Sequence, residues 1–288
     1  MTKLLATLVV LCCAFSAAAQ QPPMFETRKL TDNAFLFRYQ FHQALFVVTS
    51  EGVIATDPIS FLRPQAAATY LAEIRKITQA PIKYLVYSHH HYDHIAGGKP
   101  FKDAGATVIA HRNAKTRLEA LRYADVVIPD EAVDDFRAIE LGGVRVELHY
   151  VGRNHSDNTL VVLLPKEKLL FTVDYVAVES VGFRDFPDGY FPDMFDSLDR
   201  TVALNWDRMI GGHPFPGGRF ATKDDVRAFK QYLVELNDAV KAAAAAGKCW
   251  DAAMTEVKLP KYEKWGGYER FLPMNIEKFC NYWGRGYW

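Results

Sequence analysis

The chain has 288 residues, and its 34 Lys and Arg balance its 34 Asp and Glu, for a formal net charge of zero. A balanced chain without a basic stripe gives no electrostatic case for a nucleic-acid partner. With 49% hydrophobic residues it can bury a large core, yet past its first residues it has no apolar run long enough to span a membrane.

Residues 1–19 read as a signal peptide. Lys3 is the sole charge, residues 4–15 are an apolar core, and Ala17-Ala18-Ala19 offers a cleavage site before Gln20. The apolar run is too short for a membrane span, and neither Cys12 nor Cys13 follows the small residue of a lipoprotein signal. The expected product is soluble, periplasmic or secreted, and one acid in excess once Lys3 is lost. Residues 20–288 contain no linker, repeat or low-complexity boundary and read as a single domain with a helical C-terminal extension.

Strand patterning covers residues 25–30, 34–41, 44–49 and 53–56, punctuated by Asp32-Asn33 and Glu51-Gly52. Helical patterning follows at 65–78, then an apolar run at 82–87, then a helix near 95–104. After the polar stretch 129–135 come strands at 137–141, 144–151, 160–164 and 169–173, and helices at 194–206 and 222–246. The last helix opens on Thr222-x-x-Asp225, a cap-like start, and closes at Gly247. This patterning supports α/β or α+β and no finer class.

Directly after the run at 82–87 stands Ser88-His89-His90-His91-Tyr92-Asp93-His94. In an extended or tightly turning backbone His89 and His91 project to one side, while Asp93 and His94 swing toward a second point a few ångströms away. One segment can therefore serve two metals. Imidazole nitrogen and carboxylate oxygen suit zinc, with iron or manganese as alternatives. The bland alternative is a solvated His-rich turn. Three further candidates weigh against it, each at the end of an apolar run: His155, Asp174 and His213. Singly they read as loop histidines and a turn or N-cap aspartate; together they converge on one sheet edge. His42, His90, His111 and His149 read as structural or solvent-facing, with His42 kept as a pocket candidate because Phe41-His42-Gln43 suits a hairpin turn.

The series His89-x-His91-x-Asp93-His94, His155, Asp174, His213 resembles the complete ligand set of the metallo-β-lactamase fold superfamily. The resemblance implies a four-layer αβ/βα sandwich with metals in the cleft between sheet edges. It implies that His89, His91 and His155 hold one zinc, that Asp93, His94 and His213 hold a second, and that Asp174 bridges them. The implied activity is hydrolysis of an ester, lactone, thioester or amide bond of a small molecule by a metal-bound hydroxide, with Asp93 and Asp174 orienting the nucleophile. Tyr175 and Tyr190 are candidates for protonating the leaving group, with packing as the alternative for each.

Two departures from the family pattern matter. The family glycine after the third histidine is replaced by the run His155-Ser156-Asp157-Asn158, where Asn158 can tolerate a left-handed turn. Asp174 stands where true β-lactamases carry Cys or Ser, which points away from lactams. The alternatives are a β-lactamase and, from another class, a mononuclear iron persulfide dioxygenase. A diiron oxidoreductase would carry Glu in place of His91, and a non-catalytic relative would have lost ligands.

The stretch 180–192, rich in aromatics, Pro and Gly, is expected to overhang the cleft as a wall or lid, with Trp265, Tyr268 and Phe271 on the other side, unless these rings cover a core edge. Arg184 is a candidate anchor for a substrate carboxylate. Of the four cysteines, Cys249 and Cys280 remain after processing, either paired or packed as thiols.

Overall fold

Period-two alternation sets the architecture. In β2 (Ala34–Tyr39), Ala34 and Leu36 face one side and Phe35, Phe37 and Tyr39 the other, and both sides are buried. The structure, a computed structural model, describes residues 23–286, so the leader read from residues 1–19 lies outside the described residues.

The first sheet runs in chain order. Strands β1 (Phe25–Lys29), β2, β3 (His42–Val48) and β4 (Val53–Thr56) form an antiparallel meander. Strands β5 (Ile82–Val86), β6 (Thr107–His111) and β7 (Glu131–Val133) extend it in parallel. The crossovers carry helices α1 (Ala66–Ile77), α2 (Tyr92–Ile95), α3 (Lys99–Asp103) and α4 (Arg112–Leu121), as parallel neighbours require. The second sheet has the order β12-β11-β10-β9-β8. Its strands are β8 (Phe136–Leu141), β9 (Val144–Tyr150), β10 (Leu160–Leu164), β11 (Leu169–Thr172) and β12 (Arg208–Gly211), with α5 (Asp193–Ala203) before the last.

Three apolar clusters define four layers. Leu36, Leu45, Val86 and Ile109 of the first sheet meet Val146, Leu148, Val162 and Phe171 of the second. The first sheet's other face packs Phe37, Phe46 and Leu85 against Tyr70 of α1 and Phe101 of α3. The second sheet's other face packs Val161, Leu163 and Leu170 against α5, α6 (Lys223–Ala245) and α8 (Tyr268–Arg285). This is the αβ/βα sandwich. It explains why β10 reads as the unbroken run LVVLL: both its faces are covered.

The structure corrects several expected elements. The helix expected near 95–104 is two short ones, because Gly97 between them holds φ +88° and a Cβ there would lie 2.4 Å from Ser60 Cβ. Strand β7, inside the polar stretch 129–135, is held by backbone pairing to β6 and lacks an apolar signature. Neither β6 nor α4 was marked by the pattern. The N-terminal hairpin turns at Gln40 and Phe41, so His42 opens β3, paired with Tyr39, and is not a turn residue.

Beyond β12, Thr222 and Asp225 form a full capping box at the start of α6, and Gly247 past its end is left-handed. Cys249 and Cys280, with Cα atoms 5.5 Å apart, are joined as a disulfide that ties the approach to α7 (Asp251–Glu256) to α8. Among the described residues no helix is long and apolar enough to cross a membrane.

Candidate metal centre

The ends of β4, β5, β9, β11 and β12 open on one edge of the sandwich, and a ligand-type side chain follows each. His89 and His91 leave β5, and α2 carries Asp93 and His94. His155 follows β9, Asp174 follows β11 and His213 follows β12. Asp174 holds a left-handed backbone (φ 68°), a costly conformation for a residue with a Cβ and one that concentrates at functional sites.

The seven side chains form two groups that meet on Asp174. In the first, His91 Nδ1 lies 3.0 Å from His155 Nε2, and His89 Nε2 and His155 Nε2 each lie 3.7 Å from Asp174 Oδ2. In the second, His94 Nε2 lies 3.0 Å from Asp174 Oδ2 and 3.4 Å from Asp93 Oδ2, and His213 Nε2 lies 3.2 Å from Asp174 Oδ1. His42 joins this second group with its Nε2 at 3.1 Å from Asp93 Oδ2.

The nitrogens that face away are mostly committed elsewhere. His89 Nδ1 meets Ser88 Oγ at 3.0 Å, His91 Nε2 meets Asp188 Oδ2 at 2.8 Å, and His213 Nδ1 donates to the Phe41 carbonyl at 2.6 Å. Such outer partners fix which nitrogen points inward. The inward atoms lack a well-directed hydrogen bond: His89 Nε2, His94 Nε2 and Asp174 Oδ1 are buried, and their near polar neighbours are the other donors of the site. A buried unpaired polar atom costs about 1–3 kcal/mol, so three of them at one point is a strong argument for a cation that completes them. The donor set, imidazole and carboxylate, is that of zinc and similar divalent ions. The residues present fit a pair of metal ions.

Electrostatics agree. Burial, reinforced by the neighbouring imidazoles, pushes the His89 imidazole well below its ordinary range. Burial brings His155 and His42 down to about 4, favouring the neutral ring a metal needs. His94 is the exception: burial opposes its charge too, but Asp174, Asp93 and Asp57 outweigh it and raise that imidazole to about 9, so a cation must displace its proton to bind there. For Asp174, burial favours the neutral acid, yet the nearby His94 and His213 charges hold it ionised well below the usual carboxylate range. Nearby charges thus keep an anion at the shared position.

Tyr175, the leading sequence candidate for proton donor, is not brought to this edge. It is fully buried in the core under the second sheet, its hydroxyl 2.8 Å from Thr201 Oγ1, and burial raises it far above the ordinary tyrosine range. Tyr190 is partly buried with its ring under the Arg153 guanidinium. Arg184 stacks over Phe183, and its carbonyl is taken by Asn275. The stretch 180–192 is a pinned wall: Ser180 bridges Gly266, and Asn275 of α8 also donates to Gly182 O at 3.0 Å. Trp265 and Phe271 pack against the core below the second sheet, and Tyr268 is buried in it.

Three residues of the site escaped the sequence. Asp57, fully buried at the end of β4, accepts from Ser88 N at 2.8 Å and lies 3.9 Å from His94 Nδ1; burial raises its carboxyl to about 6. Asp188 reaches back from the wall to His91. Asn158 is not left-handed; the nearby positive φ belongs to Gly152 (φ 98°). Its carboxamide instead holds His90, accepting from the His90 backbone N at 3.0 Å, so His90 is a buried structural residue and not a solvent-facing one. Only Asp57 carried a usable signal, an acid at the end of the apolar run 53–56.

The sequence model of the metallo-beta-lactamase superfamily matches residues 41–214, more than half of the chain and the whole span from the hairpin to the last ligand. The protein therefore belongs to the metallo-beta-lactamase superfamily. Among its relatives, the 2,4-dinitroanisole O-demethylase subunit alpha of Nocardioides sp. is 25% identical over 187 residues, 64% of this chain and 54% of that one. A hydroxyacylglutathione hydrolase of Pelagibacter ubique is 28% identical over 127 residues, 43% of this chain and 47% of that one. The chain thus spans about half the length of these two curated relatives. Of solved structures, a metallo-beta-lactamase from Pontibacter korlensis superposes with a TM-score of 0.61 at 18% identity, over 72% of this chain and 99% of that one, a likeness of fold.

Proposed function

We propose that the protein is a dinuclear zinc hydrolase, exported to the periplasm or beyond, that cleaves an ester, lactone, thioester or amide bond of a small molecule. The observation that carries the reading is the pair of donor groups sharing Asp174: His89, His91 and His155 on one side, Asp93, His94 and His213 on the other. When bound, the metals would supply an activated water and a Lewis acid at this edge. The chain's own part is to hold the donors at fixed spacing. Asp93, whose side chain keeps 38% of its surface exposed, offers water a hydrogen-bond acceptor. The wall 180–192 reaches this edge through Asp188, which meets His91 at 2.8 Å.

Asp174 favours esters, lactones and thioesters over β-lactams. A carboxylate shared between two cations lowers their Lewis acidity, which suits an alkoxide or thiolate leaving group better than an anionic amide nitrogen. Export is supported by the disulfide, which belongs to oxidising compartments. The test is metal analysis of the purified protein together with turnover of an ester, a lactone, a thioester and a carbapenem. About two zinc ions per chain and a preference for the first three are expected; a single iron with oxygen consumption on a persulfide would overturn the reading.

A further inference from the structure

We propose that His42 is a protein ligand of the second metal position, beside Asp93, His94, His213 and the shared Asp174. The inference rests on the reading of this edge as a metal centre. His42 lies outside the series of seven, on a different sheet element, and its placement is built by the backbone. The start of β3 is laced to the end of β12: Gln43 N donates to Gly212 O at 2.6 Å, Gln43 Nε2 to Gly211 O at 2.9 Å, and His213 Nδ1 to Phe41 O at 2.6 Å. The hairpin that orients His213 therefore also delivers the next side chain into the same space.

His42 is gathered with the other donors of the second group. His42, Asp93, His94 and His213 each offer a donor atom, and these lie within 4.8 Å of one another. The His42 ring centroid is 4.4 Å from that of His213 and 5.1 Å from that of His94. Ligand atoms held at about 2.1 Å from an ion stand roughly 3.0–3.4 Å apart, and the His42 Nε2 to Asp93 Oδ2 separation of 3.1 Å falls in that range. With His42 the second position has three imidazoles and two carboxylates; the first has three imidazoles and the shared carboxylate alone. The second position then suits an ion with five or six ligands. His42 Nδ1, like His94 Nδ1, is buried without a hydrogen-bond partner, whereas His89, His91 and His213 each have an outer one, so His42 is held less firmly than those three.

The experiment strips the mature protein with a chelator, then titrates it with Zn²⁺ against a chromophoric competitor and with Co²⁺ by visible absorption. Wild type should take two equivalents. In His42→Ala and His42→Gln the second equivalent should weaken by more than the 10–100-fold typical of losing an outer partner while the first is unchanged, and the cobalt absorption should strengthen as the second ion loses a ligand. Gln is the deciding variant, because its side-chain N–H can still donate to Asp93 but it is a poor ligand. Wild-type affinity and cobalt spectrum in His42→Gln would reduce His42 to a positioning residue and overturn the proposal, as would a wild-type protein that holds only one ion. Metal-free unfolding midpoints within a degree or two of wild type would confirm that both variants fold. Because binding and spectrum are the readouts, absence of hydrolysis on every substrate tried would sink the hydrolase reading and leave this one standing.

Discussion

The metal edge and the C-terminal helices treat buried polarity in opposite ways. At the edge, His89, His94, Asp57 and Asp174 bury atoms that find no hydrogen-bond partner in the protein. Beneath the second sheet, Asn275 of α8 is equally buried, yet its Oδ1 accepts from Tyr232 Oη at 2.6 Å and its Nδ2 donates to the carbonyls of Gly182 and Arg184. One region leaves its polar atoms open for a ligand; in the other, Asn275 has both side-chain atoms paired and uses them to hold a loop. That loop is the wall, and at its far end Asp188 reaches His91. The helices outside the family match thus support the site from behind.

The largest effect should come from opening the edge. His91→Ala and Asp93→Ala each remove a donor of the centre, so hydrolysis should fall by more than the 10–100-fold typical of an outer partner, with metal content reduced and the fold kept, since both residues lie at the partly exposed edge of the sandwich and outside the packed core. Circular dichroism and metal analysis on the same preparation check this. A variant that kept its full metal content and activity would remove that residue from the centre.

Next comes the closure of the helical region. Cys249 and Cys280 are separated by 31 residues, and losing a bridge over such a loop costs about 2–4 kcal/mol. Paired Cys249→Ser and Cys280→Ser should therefore unfold at lower denaturant while retaining metal content and turnover below the transition. An unchanged midpoint would mean that the two sulfurs merely pack.

How much of this was legible in the sequence differs between the two regions for a physical reason. A ligand announces itself: His89, His155, Asp174 and His213 each follow an apolar run, so residue type and position coincide. Partners do not. Asp188 meets His91 across 97 positions and Asn275 meets Gly182 across 93, and nothing local in either marks the match. Tyr175 shows the opposite error. Adjacency to Asp174 suggested chemistry, but the chain turns tightly at the left-handed Asp174, with Tyr175 N donating to Val173 O at 3.0 Å, and Tyr175 is carried into the core. The hairpin misled by two residues only, yet that shift moves His42 from a loop tip to the head of a strand.

Breaking the closed network comes third. Asn275→Leu leaves the Tyr232 hydroxyl and two wall carbonyls buried and unpaired, a loss of about 2–3 kcal/mol at most sites of this kind. Urea unfolding should register it. The same variant should also lower activity, because the wall would no longer present Asp188 at a fixed distance.

The smallest effect expected is also the one that tests the link between the two regions. Asp188 fixes His91 through a single 2.8 Å contact, and its side chain keeps 47% of its surface exposed, so solvent can replace part of what it does. Asp188→Asn should weaken zinc at the first position by about 10-fold, the low end for an outer partner, and leave the second position alone. If the helices act on the metals through this residue, the activity loss of Asn275→Leu should nearly vanish in the Asp188→Asn background, while its stability loss persists. Additive activity losses would mean that the wall shapes the cleft by some other contact, and the two regions would then be neighbours without being coupled.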